Sequence, residues 1–373
     1  MSVTLTKPTR RRAVFHELRI TDIERLTDQA VAVSLAVPPE LREEFDFEPG
    51  QHLTLRAEID GEDVRRSYSI CRSRSQWRRT GELRVATARV SGGVMSNWLN
   101  DHARVGDTVA VMTPLGSFTC PVEPNATRHH VAVAAGSGIT PVLSLLTTAL
   151  EEEPLSRATL IFGNRRTDSI MFLEELMDLK NRFPDRFTLI NVLSREAQDV
   201  ELFSGRIDRE RLERFLATIV PVRDVDEWYL CGPFGMVETA REVLAEHGVD
   251  KHTVRHEVFH VDEASPEPTR AAREAAVDVA PEATVTVTLD GRTTRVPMRS
   301  RSESILAATL RERPDAPFSC TGGVCGTCRA RLVDGEVTMD RNYALEPEEI
   351  EAGIVLACQS HPVTDTVTLD YDA

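Results

Sequence analysis

The 373-residue sequence predicts a multidomain fold of three units in series: an antiparallel β-barrel, an α/β unit of Rossmann-like texture, and a small α+β unit. Three observations carry this reading. Residues 13–124 alternate apolar and polar positions over short segments separated by turns, residues 128–260 alternate apolar strands with helical stretches, and residues 284–373 hold four closely spaced cysteines. A chain of this length has room for several separately buried cores. Its formal net charge of -15 argues against nucleic acid as a partner, because a phosphate backbone calls for a basic face. An acidic chain that holds anionic cofactors must do so with local arginines and backbone N–H groups.

In the first unit, strands are expected at 31–37, 52–59, 66–71, 83–90 and 108–112. On an extended strand Arg66 and Tyr68 point the same way, which joins a guanidinium suited to a diphosphate to a flat ring suited to an aromatic ligand; Ser69 and Ile70 follow. Any half-buried strand also carries such alternation. A second element strengthens the first: Gly92-Gly93-Val94-Met95-Ser96 leads into Asn97-Trp98-Leu99, a glycine turn opening a short helix whose first amides can bind phosphate. Together these are the needs of FAD.

In the second unit, the uncharged run 131–150 is long enough to resemble a membrane span. Its centre, Gly136-Ser137-Gly138-Ile139-Thr140-Pro141, breaks it into a strand, a turn and a helix, so no membrane segment is expected. Strands at 130–135, 158–162, 188–193 and 227–231 predict a parallel sheet with helices on both faces. Gly136 permits a tight turn, Gly138 lets a phosphate approach the backbone, and Pro141 is tolerated in a first helical turn, with Thr140 beside it in the expected nucleotide contacts. Cys231-Gly232-Pro233 ends a later strand; a small buried thiol is the plain alternative there. An NAD site usually has an acid at the end of its second strand, but Phe162 is followed by Gly163-Asn164-Arg165-Arg166, and the third strand ends in Ser194-Arg195. Charge complementarity favours NADPH over NADH, while Glu196 would oppose a phosphate and the arginines could be solvated surface charge.

Residues 261–283, rich in Glu, Ala and Pro, read as a linker with a transiently helical Ala-Arg-Glu portion. Beyond it, strands at 284–289 and 293–297, a helix at 303–311 and a final strand at 366–371 frame the cysteines. Cys320, Cys325, Cys328 and Cys358 follow the C-x4-C-x2-C…C spacing of a plant-type 2Fe-2S cluster, with Gly322, Gly323 and Gly326 giving the backbone freedom to wrap it. Zinc usually takes cysteines as two separated pairs, and a thioredoxin-like pair wants C-x-x-C at a helix start in a βαβ unit. The other three cysteines, Cys71, Cys120 and Cys231, are scattered, which fits a reducing compartment. Arg10-Arg11-Arg12 is not read as an export signal, since Glu17 and Arg19 interrupt the apolar stretch such a signal needs; the expected location is cytoplasmic.

These motifs resemble the ferredoxin-NADP reductase superfamily, whose signature is an R-x-Y-S strand followed by a G-x-x-S turn. The resemblance implies that Arg66 and Ser96 hold the FAD diphosphate, with Ile70, Gly93, Val94 and Met95 completing the site. Tyr68 would lie against the flavin ring and Ser69 near its reactive edge. Strand alternation sends Ser69 to the face opposite Tyr68, so that role requires the strand to bend or end there. Pro114-Leu115-Gly116-Ser117-Phe118 resembles the barrel-closing turn. Cys231, Gly232 and Pro233 are similar to the turn beside the nicotinamide ring, and Ser194-Arg195, with Arg165, to the group that holds the 2'-phosphate. Glu257-x-Phe259 matches the position of an aromatic over the flavin, an ordinary last strand being the alternative. Ser69, Cys231 and Phe259 are thereby the implied catalytic residues.

The order of units resembles the reductase components of multicomponent bacterial oxygenases that carry a C-terminal plant-type, β-grasp ferredoxin domain. A nicotinamide gives up two electrons as hydride, whereas a 2Fe-2S cluster takes one at a time, so the implied path is NAD(P)H to FAD to cluster to a partner oxygenase. Within that group Arg341-Asn342-Tyr343-Ala344-Leu345-Glu346-Pro347 and Ala357-Cys358-Gln359-Ser360-His361-Pro362 look most like reductases that feed a separate di-iron oxygenase. Reductases of steroid hydroxylases and of other ring-oxidising systems share the architecture. The competing readings are an iron-sulfur carrier or redox-sensing module, and a simple flavin reductase with a zinc site.

Overall fold

The computed structural model describes residues 14–260 and 281–373. The helical portion expected in the linker and the Arg10–Arg12 run lie outside the described residues. The chain packs as two compact units, one made of His16–Ile59 and Arg66–Glu263, the other of Met1–Phe15, Asp60–Arg65 and Ala264–Ala373.

The barrel sheet is built from β1 (Phe15–Thr27), β2 (Ala30–Ala36), β3 (His52–Ile59), β4 (Glu62–Ser69), β5 (Glu82–Ala88) and β6 (Thr108–Leu115), in the order β4-β3-β6-β1-β2-β5. It closes because Ile70, just past β4, bridges to Val85 on β5, and the Cys71 N–H donates to the Arg84 carbonyl at 2.9 Å. β1 is the longest strand, yet its sequence hides it. Register shifts at Ile20/Asp22 and Arg25/Thr27 interrupt the alternation by which a strand is recognised, while Leu18 and Ile20 are fully buried. Two helices serve this sheet, α1 (Arg74–Thr80) and α2 (Val94–Asp101). α1 starts at a Ser73/Gln76 capping box and stops at Gly81 in the left-handed conformation.

The nicotinamide-type sheet is all parallel: β7 (His129–Ala135), β8 (Arg157–Asn164), β9 (Phe187–Leu193), β10 (Glu227–Pro233) and β11 (Val254–His260), in the order β11-β10-β7-β8-β9. Its helices are α3 (Ile139–Glu152), α4 (Leu173–Arg182), α5 (Arg209–Thr218) and α6 (Phe234–Glu246). The uncharged run divides into β7, a 3-10 turn at Gly136–Gly138 and the buried helix α3. Among the described residues no helix is long and apolar enough to cross a membrane. Strand order reverses between β7 and β10, which makes the carboxyl ends of those two strands the topological switch point where open α/β sheets bind ligands.

One core joins barrel and parallel sheet, running from Ala32, Cys71 and Ala86 through Phe118 to Leu146, Leu160 and Tyr229. A buried polar joint reinforces it. Glu153, just after α3, accepts from His130 Nε2 at 3.0 Å, Ser156 Oγ at 2.7 Å, the Glu123 N–H at 3.1 Å and the Arg128 guanidinium.

The second unit holds β12 (Ala283–Leu289), β13 (Arg292–Met298), β14 (Arg329–Asp334), β15 (Val337–Met339), β16 (Ile354–Leu356), β17 (Ser360–Pro362) and β18 (Thr366–Asp370), with helices α7 (Ile305–Glu312) and α8 (Pro347–Glu351). Five strands form a mixed sheet, β13-β12-β18-β14-β16, in which β12 and β18 run parallel. β12 buries every second residue, as its alternation predicts, and turns into β13 through Asp290-Gly291, both at positive φ. The helix expected over 303–311 is α7, its start set by Ser304, whose side chain accepts from the Ala307 N–H.

Candidate functional site

The site is assembled from strand ends. β4 stops at Ser69, and Ile70 turns to pair with β5, which supplies the strand end that a role for Ser69 requires. Ser69 is buried, and its Oγ donates to Glu257 Oε2 on β11 at 3.5 Å. Arg66 and Tyr68, on the same strand, are half-buried. After β5, Gly93 is the N-cap of α2; a Cβ there would lie 2.6 Å from Ser96 Oγ and 2.9 Å from Val90 Cβ, so the turn accepts only glycine. Ser96 and Met95 are buried and Val94 is exposed; the Val90 N–H donates to Ser96 Oγ at 3.4 Å, tying the turn to the start of α2.

The turns after β7 and β10 lie against each other. A Cβ on Gly138 would stand 2.2 Å from the Cys231 carbonyl oxygen, an approach only glycine permits. Gly136 has φ +54, and a Cβ on Gly232 would meet Met236 Cε at 2.9 Å. Thr140 Oγ1 donates to the Ser137 carbonyl at 3.0 Å and so braces the turn, while Pro141 occupies the first turn of α3. Pro233 caps α6, so the N-termini of α3 and α6 both open at the switch point, two sources of N–H groups for a nucleotide diphosphate.

In register, Cys231 pairs with Ala134 on one side and Glu257 on the other. Ser69, Cys231 and Glu257 thus come from β4, β10 and β11 to one place. Burial pushes the Glu257 carboxyl up to about 8, against the opposite pull of the Ser69 hydrogen bond, so the group holds a proton at neutral pH. The Cys231 thiol is fully buried and pushed well up, first by burial and then by that carboxylate. His52 Nδ1 lies 4.0 Å from Glu257 Oε1, and burial lowers its ring to about 4. Sequence reasoning missed His52 and gave Glu257 no role. The available signal was an acid two residues before Phe259 in a strand, hence on the same face. Phe259 packs at the edge of the shared core.

At the far side of the switch point, the Arg195 N–H donates to the Arg165 carbonyl at 2.8 Å, which places the two arginines side by side at the ends of β9 and β8, both exposed. Ser194 Oγ donates to the Asn164 carbonyl at 3.2 Å. Glu196 accepts from the Thr167 N–H at 2.9 Å and its hydroxyl at 2.7 Å.

The cysteine loop lies in the other unit, between α7 and β14. Its thiols come in two pairs: Cys320 with Cys325, and Cys328 with Cys358, each within hydrogen-bond reach. Cys320 Sγ also accepts from the N–H groups of Val324 at 3.4 Å and Cys325 at 3.3 Å. The bond from the Cys325 thiol, aided by these amides, holds the Cys320 thiol below the usual thiol range. Two pairs of sulfurs, with amides aimed at one of them, are a donor set into which a two-iron cluster would fit.

Residues 17–120 match the oxidoreductase FAD-binding domain family, residues 132–242 the oxidoreductase NAD-binding domain family, and residues 287–363 the 2Fe-2S iron-sulfur cluster binding domain family. The chain is 42% identical to a subunit of 1,2-phenylacetyl-CoA epoxidase from Escherichia coli (strain K12), over 96% of this chain and 98% of that one. It is 34% identical to the ferredoxin reductase component of 3-ketosteroid-9-alpha-monooxygenase from Rhodococcus rhodochrous, over 95% and 96%. The chain belongs to the reductase components of oxygenase systems. The fold of this reductase is that of phthalate dioxygenase reductase, with a TM-score of 0.59 at 24% identity over 95% of this chain and 98% of that structure.

As an oxidoreductase with FAD-binding, NAD-binding and 2Fe-2S domains, the reductase has residues that fit each group. The glycines at Gly93, Gly138 and Gly232 leave the backbone bare where a side chain would clash, as a phosphate-binding backbone would need, and the cysteine pairs would fit a two-iron cluster. The finer likeness carried by residues 341–347 and 357–362 agrees with the 42% identity to the epoxidase component.

Proposed function

We propose that this reductase takes hydride from NADPH and delivers single electrons through its cluster to a di-iron oxygenase of the phenylacetyl-CoA epoxidase kind, in the cytoplasm. The observation that carries the reading is the meeting of Ser69, Cys231 and Glu257 where two glycine turns pack together. The domain limits are 13–124 for FAD, 128–260 for the nicotinamide nucleotide and 284–373 for the cluster. FAD supplies the conversion of a two-electron donor into a one-electron source. Arg66 and the first amides of α2, from Gly93 to Ser96, hold its diphosphate, with Ile70 anchoring the strand; Tyr68 and Phe259 bracket the ring system. Gly136, Gly138, Thr140, Pro141, Gly232 and Pro233 shape the backbone against which the nicotinamide nucleotide lies. Cys231 orients its ring, and Glu257 holds a proton beside Ser69 Oγ. Positioning accounts for the hydride step, which requires reacting atoms roughly 3 to 3.5 Å apart.

NADPH over NADH is supported by the Arg165–Arg195 pairing with Ser194 beside it, and by the engagement of Glu196 with Thr167. Arg195→Ala is expected to weaken NADPH binding at least tenfold while changing NADH binding little, as read from steady-state KM values; equal losses would reject the NADPH assignment. The di-iron partner is supported by the 42% identity to the epoxidase component, against 34% for the steroid oxygenase reductase. Reconstituted turnover with each type of oxygenase tests it, and coupling only to a steroid-type oxygenase would sink that part.

A further inference from the structure

The cluster loop is held in shape by residues outside the four-cysteine motif. Thr321, next to Cys320, has φ +50, a left-handed conformation that a β-branched residue rarely adopts. Its carbonyl accepts from Gln359 Nε2 at 2.7 Å, and the same amide reaches the Cys358 carbonyl at 3.3 Å. Gln359 is buried, and a Cβ on Gly323 would meet its Cγ at 3.2 Å and the Arg341 carbonyl oxygen at 3.0 Å. The loop at Gly323 therefore packs directly against both Gln359 and the start of the turn 341–345, which adjoin each other.

That turn is itself locked. Asn342 Oδ1 accepts from the N–H groups of Ala344 at 3.2 Å and Leu345 at 2.9 Å, while Nδ2 donates to the Leu345 carbonyl at 2.8 Å. The Tyr343 N–H donates to the Gly323 carbonyl at 3.0 Å, and the Asp340 N–H to the Gln359 carbonyl at 3.0 Å, closing the strap. The orientation of the peptides from Thr321 to Gly323 decides where the next amides point, and those of Val324 and Cys325 point at Cys320 Sγ.

We propose that Gln359 and the Asn342-locked turn are positioning residues for the cluster, and that by holding the Thr321 carbonyl Gln359 raises the cluster's midpoint potential. Reduction adds an electron to the iron-sulfur unit, and amide N–H groups aimed at its sulfurs stabilise the added negative charge. Loosening the strap turns those amides away and makes the cluster harder to reduce. The inference rests on the 2Fe-2S assignment and is independent of the choice of NADPH or oxygenase.

The test is an EPR-monitored reductive titration of the full-length holoprotein and of Gln359→Met, which keeps length and bulk but removes the donor, with iron and labile sulfide measured on the same samples. The expected result is a lower midpoint potential, corresponding to about a tenfold shift in electron sharing, or 59 mV for a one-electron couple, with altered g values. Asn342→Ala should shift the potential the same way without altering charge. If Gln359→Met lowers cluster occupancy, the loaded fraction still reports its potential: a shift there supports the proposal, and an unchanged potential shows a purely structural role and overturns it. Wild-type protein without iron or sulfide would instead remove the cluster assignment itself.

Discussion

At the scale of single residues, the fold changes the chemistry of Glu257. Its carboxyl titrates near 8 because burial outweighs the hydrogen bond from Ser69, so it is protonated below that pH and charged above it. The reductive step in the wild type is expected to hold its rate below about pH 8 and decline as pH rises through it. Glu257→Gln keeps an acceptor for Ser69 but cannot titrate. It is expected to keep the rate that the wild type shows below pH 8 and to hold it above that pH, flattening the pH profile, which stopped-flow absorbance would measure. An unaltered profile would show that the carboxyl takes no part. Position 257 was visible in the sequence only as an acid in a strand, since its altered acidity comes from what covers it.

At the scale of elements, two packing features carry separate expectations. A methyl group on residue 138 would lie 2.2 Å from the Cys231 carbonyl oxygen, so Gly138→Ala must part the turns after β7 and β10. Overpacking of this kind costs about 1–3 kcal/mol. Titration with NADPH should show roughly tenfold weaker binding, while FAD, bound on the barrel side, stays in place; unchanged binding would mean the nucleotide does not use this turn. The Glu153 joint at the other end of the sheet governs stability. Burial opposes its ionisation, but hydrogen bonds from His130, Arg128 and Ser156 together outweigh burial and hold the carboxyl near 2 rather than 4.5. Because the folded value is depressed, the stabilisation is complete above about pH 4.5 and is lost as pH falls towards 2. Glu153→Gln should lower the melting temperature at pH 7 and reduce the extra loss of stability that the wild type shows on acidification between pH 4.5 and 2. A parallel acid response in both proteins would rule this out.

At the scale of the whole molecule, each unit has its own apolar core, one around Leu146 and Leu160 and the other around Val285 and Val367. Removing a cluster ligand should therefore leave the flavin chemistry intact. Cys325→Ser is expected to abolish cluster-dependent reduction of cytochrome c and spare hydride transfer to ferricyanide; loss of both activities would show that the steps are not separable. The sequence by itself determined which cofactors the chain handles and in what order. Those facts are written in local spacing: C-x4-C-x2-C needs its sulfurs on one loop, and a glycine turn after an apolar strand needs only its own neighbours. β1 escaped the same reading because its bulges break the alternation, as did the short strands β14 to β17 among the cysteines. Only the tertiary structure decided that Ser69 meets Glu257, that Arg165 stands beside Arg195, that Gly138 touches Cys231, and that Gln359 holds Thr321. Each contact joins segments distant in the chain, and neither strand order nor the burial that sets acidity is a property of any one of them.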